Sequence, residues 1–472
     1  MLRTAASPGT GVQPDDSVAR AVVWSVWFAM LALLLWSMAP IVSRVPLAED
    51  WFLVAPLTGH EPDLSAWLWE QNNEHRTPLA RLILLVTITA ARGDFRAGGY
   101  LNAALLAATA AGLILFTRRF RGGRTDPADA VFPLLLMHFG HSHLVLFTWL
   151  LLFVASTIVT LLAGCALFAR QSVASPLVAA TAGLALMLLP LCGVNGLLFV
   201  PTLAAYLLYA AWACWSGGRG WPVRRAVAVW LVTAACVTLV VTALYFVGYE
   251  HPWWNPESPG MLPAFKTALK VLSLGFGPAS EFWWAPGVVG AVTLYLTSLW
   301  RAFKNVSARS GADREHAIGA MVFLANAIAF AWVLGWARAA YVPEFGIPIR
   351  YVLAVAPAVV ASYLTWELSP SRAARLVQRS LAIALLILVP FNTIAGHRFF
   401  ADWYRAGMTR LQKDIDDGVP IAELAVRHQR FLVHWWKPAV LEQHMRWLHD
   451  AGIAPFDRVN IAEYAPRIEK GR

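Results

Sequence analysis

The sequence predicts an all-α, polytopic membrane helix bundle, and three observations support that fold class. Of the 472 residues, 58% are hydrophobic and only 14% are charged, whereas about a quarter of the residues in a soluble domain carry charge. The mean hydropathy is +0.55. A helix needs about 20 apolar residues to cross a bilayer. Eleven apolar runs reach or approach that length: 21–42, 97–117, 129–141, 144–168, 176–190, 194–215, 226–247, 284–303, 316–336, 350–368 and 380–396.

The basic residues between these runs predict the side on which each loop lies. Arginine and lysine cluster at 118–124, 219–225, 301–314 and 372–379. Short loops rich in these residues stay in the cytoplasm. The N-terminal tail, 1–20, is therefore predicted to be cytoplasmic, and the first run is an uncleaved anchor. The net charge of +10 is explained by topology and lipid headgroup contact, so no nucleic-acid partner is predicted.

The predicted bundle occupies residues 21–396 and includes a large outer loop at 43–96. An odd number of spans puts residues 397–472 outside the cytoplasm, as a small helical cap too short for a robust core of its own. Two helices are predicted there, near 421–434 and 438–451. In the first loop, residues 78–91 are apolar but short, which favours a helix lying in the membrane interface.

Two adjacent acids, Glu49 and Asp50, open this outer loop. A carboxylate at a membrane boundary can act as a general base, and partial desolvation raises its pKa toward a useful range. We predict that Asp50 is the base, because the neighbouring Trp51 offers a flat apolar wall to a sugar ring. The alternative for either acid is a helix-end carboxylate that simply faces water.

A second polar group, Asn73-Glu74-His75-Arg76, stands just ahead of Pro78. Four hydrogen-bonding side chains at a helix entry suit the binding of hydroxyls or of a phosphate, and His75 and Arg76 are the favoured members. The alternative is a polar entry in which Asn73 or Thr77 caps the helix.

Two arginines, Arg338 and Arg350, stand at the outer ends of late apolar runs, the second followed by Tyr351. The planar guanidinium group suits a phosphate. Contact with lipid phosphates by snorkelling is the alternative for each arginine.

Three histidines, His138, His141 and His143, fall at a predicted outer turn. No carboxylate or cysteine lies near them in the sequence, so we expect His141 and His143 to line a cleft rather than to bind a metal. The four cysteines lie in or beside apolar runs without CxxC spacing, which also argues against a metal site. We predict no cofactor; a divalent ion at the acidic pair is the less favoured alternative.

These motifs together resemble the GT-C superfamily of polytopic glycosyltransferases, most closely the bacterial relatives of protein mannosyltransferases and lipid A aminoarabinose transferases. The resemblance is carried by Ala48-Glu49-Asp50-Trp51, by Asn73 to Leu79, by Gly93-Asp94-Phe95-Arg96, and by Arg338 with Arg350-Tyr351. It implies a bacterial inner-membrane enzyme that takes a polyprenyl-phosphate-linked sugar donor on the periplasmic side, with inversion. The partners it implies are this donor, membrane lipids and a glycan, lipid or protein acceptor.

The resemblance also implies roles for the site residues. Asp50 is the implied base, assisted by Glu49. Five residues are implied to bind the donor and its departing phosphate: Arg338, Arg350, Tyr351, His75 and Arg76. Five others are implied to bind the sugar or the acceptor: Trp51, Asn73, Glu74, His141 and His143. The histidine-rich turn departs from the family pattern, in which acidic or amide residues are expected.

Two other functions stay open from the sequence. A transporter or flippase of lipid-linked sugars is expected to show ionisable residues near mid-membrane or repeated halves, and neither is clear here. A non-catalytic scaffold for envelope assembly is the other alternative.

Overall fold

The computed structural model describes residues 16–169, 175–216, 221–252 and 255–461. Within those ranges the chain contains no β-strand, which confirms the all-α prediction. The predicted tail 1–20 and cap 397–472 lie partly outside the described residues, at 1–15 and 462–472. The helices are α1 Asp16–Met38, α2 Leu64–Trp69, α3 Pro78–Ala90, α4 Arg96–Phe120, α5 Val131–Leu136, α6 Ser142–Leu146, α7 Leu151–Phe168, α8 Pro176–Leu188, α9 Val200–Ser216, α10 Trp221–Phe246, α11 Met261–Ser273, α12 Trp284–Ala308, α13 Gly311–Arg338, α14 Tyr351–Glu367, α15 Arg372–Gly396, α16 Asp402–Asp416, α17 Ile421–Leu432 and α18 Pro438–Asp450.

The chain is a multi-pass membrane protein. Six helical segments in the described ranges are long and apolar enough to cross a bilayer: Asp16–Met38, Arg96–Phe120, Thr148–Phe168, Pro222–Phe246, Asp313–Arg338 and Arg372–Asp416. Shorter apolar helices add Pro78–Ala90, Pro176–Cys192 and Tyr351–Glu367. Helix α14 is buried along almost its whole length, so it stands at the centre of the bundle, surrounded by protein rather than by lipid.

The apolar run 129–141 is not one continuous helix. It consists of α5 between two short 3₁₀ turns, and His138 has an extended backbone. The run nevertheless passes along α15. Near the start of α15, Gln378 belongs to the same polar network as Asp129. At the end of α15, the Gly396 carbonyl accepts from the Ser142 hydroxyl. Eighteen helical residues of α15 separate those two levels, about 27 Å at 1.5 Å per residue. The segment therefore crosses most of the bilayer thickness as a broken helix, packed against neighbours that satisfy its freed backbone groups.

A buried charge network holds the predicted cytoplasmic end of the bundle together. Arg121, at the end of α4, donates to both carboxylate oxygens of Asp129, at 2.8 and 2.6 Å, and to Glu367 at 2.8 Å. The Tyr363 hydroxyl accepts from Arg121 and donates to Asp129. Because Asp129 is fully buried, its charge depends on this arginine.

Replacing Arg121 by Met is expected to destabilise the protein by about 3–5 kcal/mol, because it leaves buried carboxylates without their cation. The measurement is the midpoint of thermal unfolding in detergent. Arg119→Met is the matched control: Arg119 is exposed and makes no ion pair with a described residue. Equal unfolding midpoints for the two variants would show that the network contributes little.

The C-terminal cap continues directly from the last span. Helix α15 continues through a π turn, His397–Ala401, into α16, so that Arg372–Asp416 form one segment of 45 residues. The sequence predicted the end of this span at residue 396 and did not predict α16. Helices α17 and α18 lie where two helices were predicted, and Pro438 is in the first turn of the second.

Candidate active site

A cavity of about 360 Å³ lies where the first outer loop meets the 338–351 connection between α13 and α14. Residue 49, the 72–77 turn and the segment 147–153 form its other walls. Seven of the twelve residues predicted to form the site line it: Glu49, Asn73, Glu74, His75, Arg338, Arg350 and Tyr351. The first loop and the late arginines therefore meet in one place, although almost 300 residues separate them in the chain.

The turn at Asn72–His75 presents three of these side chains: Asn73, Glu74 and His75. The backbone N–H groups and carbonyls of Asn72 and His75 hydrogen bond to each other at 2.8 and 2.9 Å. Asn73, between them, has a φ of +53°, a conformation that asparagine tolerates better than most residues. The motif is thus a tight turn, and Thr77 rather than Asn73 precedes the first residue of α3. Gly193 packs against this turn, with a φ of +80°, and a Cβ there would lie 3.0 Å from His75 Nδ1.

Glu49 is the acid of the adjacent pair that lines the cavity. Burial raises the pKa of Glu49, and the negative charge of Glu74 raises it further, whereas the positive charge of Arg350 opposes that shift. A carboxylate with a raised pKa is a better proton acceptor than an ordinary glutamate.

Arg338 is bound by protein groups. Its guanidinium forms an ion pair with Glu74 and donates to the Tyr351 hydroxyl at 2.7 Å. Burial alone would raise the pKa of Glu74, but the charges of His75 and Arg338 together lower it. Glu74 is therefore a stable anion whose charge is already balanced. We infer that this pair shapes the cavity rather than supplying a free charge.

Arg350 differs from Arg338. Its guanidinium lies over the Tyr351 ring, 5.2 Å from the centroid, and forms no hydrogen bond or ion pair with any other residue that the structure describes. Five N–H donors are thus available to a ligand in the cavity. A planar donor fork of this kind matches a phosphate.

His75 adds an imidazole ring to the cavity wall. Burial is the main reason why the pKa of His75 is lowered, and the charges of Arg338 and Arg350 act in the same direction, against Glu74. Its Nδ1 is buried and has no hydrogen-bond partner among the described residues. A buried ring nitrogen without a partner is costly.

The structure does not bring Asp50 or Trp51 to the cavity, in contrast to the prediction. The Asp50 side chain is 2% exposed, and its oxygens accept from the backbone N–H groups of Leu47 and Trp149, at 3.3 and 2.7 Å. Burial raises the pKa of Asp50 well above its usual value. Trp51 is fully buried with its ring against Phe456, 5.8 Å between centroids. Asp50 ties two segments together, and Trp51 is a core residue.

Arg76 is also a structural residue rather than a cavity residue. It donates to the carbonyls of Trp69, Val247 and Gly248, at 3.0 Å each, so its guanidinium holds two outer loops together. The prediction that it contacts the donor has no support in this geometry.

The two histidines predicted for the acceptor lie behind the cavity wall. His141 Nε2 is 3.0 Å from the Leu135 carbonyl, and its ring stacks on His138 at 4.4 Å. His143 stacks between Phe400 and Phe147, and Phe147 lines the cavity. His143 therefore supports a wall residue, and His141 is a packed core histidine.

The sequence analysis missed the aromatic walls of the site, which include Trp149, Phe153 and Tyr341. Trp149 is fixed from two sides: Asp50 accepts its backbone N–H, and the buried Arg81 guanidinium lies 5.4 Å from its ring. In the sequence, Trp149 lies inside an apolar run, where nothing distinguishes it from a lipid anchor.

The described residues contain no group of three or more His, Cys, Asp or Glu side chains placed to hold a metal ion. No protein-family model and no curated protein matches the chain. Among solved structures, the chain is similar to the crystal structure of ArnT from Cupriavidus metallidurans bound to undecaprenyl phosphate, with 18% sequence identity and a TM-score of 0.44 over 93% of this chain and 76% of that one. A likeness at that level assigns neither a family nor an activity.

Proposed function

We propose that this chain is a membrane glycosyltransferase that moves a sugar from a polyprenyl-phosphate-linked donor to an acceptor hydroxyl at the periplasmic face of the bacterial inner membrane. One observation carries the proposal. Glu49, a partly buried carboxylate with a raised pKa, and Arg350, a guanidinium with no hydrogen-bond or ion-pair partner in the described ranges, line the same cavity. Transfer from a sugar phosphate needs a proton acceptor and a cation for the leaving group.

In the proposed reaction, Glu49 rather than Asp50 is the base. The acceptor hydroxyl gives its proton to the Glu49 carboxylate while its oxygen attacks C1 of the sugar. The bond from C1 to the phosphate oxygen breaks, and the electron pair leaves on the polyprenyl phosphate. Arg350 neutralises the charge that develops there, where electrostatic stabilisation has its largest effect. Attack from the face opposite the phosphate inverts the anomeric carbon.

The other cavity residues position the two substrates. Trp149 and Phe153 offer flat apolar surfaces to the sugar ring. The pair of Glu74 and Arg338 keeps the turn and the 338–351 connection together, which fixes the distance between base and cation. Holding reacting groups in place in this way contributes strongly to catalysis.

The experiment that tests this function is mass spectrometry of lipid that co-purifies with the full chain. We expect a polyprenyl phosphate or its sugar adduct, and transfer of that sugar to a hydroxyl acceptor when membrane extract is added. Movement of the labelled lipid across a vesicle without bond formation would favour the transporter instead. A chain that carries no polyprenyl lipid and transfers nothing would favour the scaffold.

The rate of transfer is expected to depend on pH through Glu49. Because the base must be ionised and its pKa is raised, kcat/KM should fall as the pH drops through a value above the ordinary glutamate range. The measurement is a pH profile of transfer at subsaturating donor. A profile that stays flat down to pH 4.5 would mean that no carboxyl with a raised pKa takes the proton.

A further inference from the structure

A continuous line of aromatic rings leads from the cavity wall to the surface of the cap. We call it the aromatic strip, and it consists of Trp149, Phe52, Trp436, His444, Trp447 and His60. Successive ring centroids are 5.9, 5.6, 4.5, 4.5 and 4.5 Å apart along that order. Each ring contacts the next, although the six come from three separate parts of the chain.

Exposure increases along the aromatic strip. Trp149 is 4% exposed and lines the cavity, the rings of the cap are half-buried, and His60 is exposed. The strip is therefore a surface that begins in the candidate active site and ends in water. Such a path suits a long, flexible substrate whose reacting end is in the cavity and whose remainder lies along the cap.

The cap part of the strip is held in place before any ligand binds. Gln429 donates from its side-chain amide to the carbonyls of His434 and Trp436, the latter at 2.8 Å, which fixes the turn between α17 and α18. His444 Nδ1 is 2.8 Å from the Val440 carbonyl. A surface ordered in advance loses little entropy when it binds.

The polar atoms of the aromatic strip indicate the chemical class of ligand that it suits. The indole N–H groups of Trp149, Trp436 and Trp447 donate to no residue within the described ranges, whereas the Trp51 indole nitrogen is sealed inside the protein. His444, between Trp436 and Trp447, and His60, at the exposed end of the strip, add ring nitrogens. Alternating flat faces and hydrogen-bonding groups match a carbohydrate, which presents C–H faces and hydroxyls in turn.

We propose that the aromatic strip is the binding surface for a carbohydrate chain, the acceptor whose terminal hydroxyl enters the cavity. This proposal rests on the function proposed above, because it identifies the acceptor of that reaction as a glycan or the glycan part of a larger molecule. The half-buried rings of the cap hold the chain, and Trp149 directs its end toward Glu49.

Binding to an array of soluble bacterial-envelope glycans tests the proposal without requiring catalysis. The purified full chain in detergent is expected to bind at least one glycan class, and Trp436→Ala combined with Trp447→Ala should weaken that binding between about 10- and 100-fold. Trp403→Ala is the matched control, since Trp403 is a 50% exposed ring of the same cap outside the strip. Glycan binding is measured here without any sugar donor, so a failure of this test and a failure of the proposed transfer reaction are distinguishable.

Hydrogen exchange of the wild-type chain gives a second measurement that does not depend on a variant folding. Residues 433–437 and 444–447 are expected to become protected when the best glycan of the array is added. Three results would overturn the proposal: no glycan held above background, equal binding by the double variant, or no protection of these segments. Loss of association with phosphatidylethanolamine–phosphatidylglycerol vesicles in the double variant, with glycan binding unchanged, would instead identify the strip as a membrane contact.

Discussion

Replacing Glu49 by Gln is expected to lower the rate of sugar transfer by about 10²- to 10⁴-fold, the range that a positioned general base contributes. Glutamine keeps the size of the side chain and removes its ability to take a proton. Glu49 lines the cavity, and other residues hold the 3₁₀ turn Ala48–Leu53 in which it lies. The variant should therefore fold and should still bind a polyprenyl phosphate. The measurement is kcat with saturating donor, together with donor affinity.

Asp50→Asn is the matched control for this experiment. The pKa of Asp50 is raised well above its usual value by burial, and an asparagine oxygen can still accept the Trp149 N–H group. We therefore expect a loss of less than about tenfold, the effect of one slightly weakened hydrogen bond. The reverse order, with Asp50→Asn inactive and Glu49→Gln active, would restore the base that the sequence alone suggested.

Replacing Arg350 by Ala is expected to lower transfer by about 10²- to 10³-fold, comparable to the loss of a preorganised group that stabilises charge in a transition state. Negative charge develops on the phosphate, and the Arg350 N–H donors, which bind no described residue, can stabilise that charge. Affinity for polyprenyl phosphate should fall as well. Lysine at this position should restore only part of the activity, because it keeps the charge but not the planar fork.

Arg338→Ala provides the contrast. Arg350→Ala removes a side chain without an ion-pair partner among the described residues, so the free energy of unfolding should change by less than about 1 kcal/mol. Arg338→Ala leaves Glu74 buried without its cation, so it should destabilise the protein by about 3–5 kcal/mol. Thermal unfolding and lipid affinity, measured on both variants, separate the two roles. Arg350→Ala with full activity would remove the proposed leaving-group site.

The helices could largely be predicted because apolar runs and basic loops are local signals. The exceptions have physical causes. The run 129–141 has the composition of a span, yet the extended backbone at His138 breaks it after α5, and packed neighbours make the break tolerable. The end of the last span was placed too early because polarity changes at residue 397 while the helix continues.

The meeting of the first loop with Arg338 and Arg350 was predictable, but the role of each side chain was not. Which of two adjacent acids faces a cavity depends on the rotation of one 3₁₀ turn, Ala48–Leu53, and on a backbone N–H supplied by Trp149, 99 residues away. Likewise, only packing decides that Glu74 pairs with Arg338, and that Arg350 has no ion-pair partner among the residues that the structure describes. Long-range contacts of this kind leave no trace in local composition.

The unbroken passage from the last span into the cap has a geometric consequence. Because α15 and α16 form one helical segment, the number of residues in it sets the height and the rotation of the cap relative to the bundle. One residue inserted into α15 would lift everything beyond it by about 1.5 Å and turn it by about 100°. That turn would swing Leu411 and Ile415 away from their buried positions. The wide π turn at His397–Ala401 is the place where the helix absorbs such a change in phase.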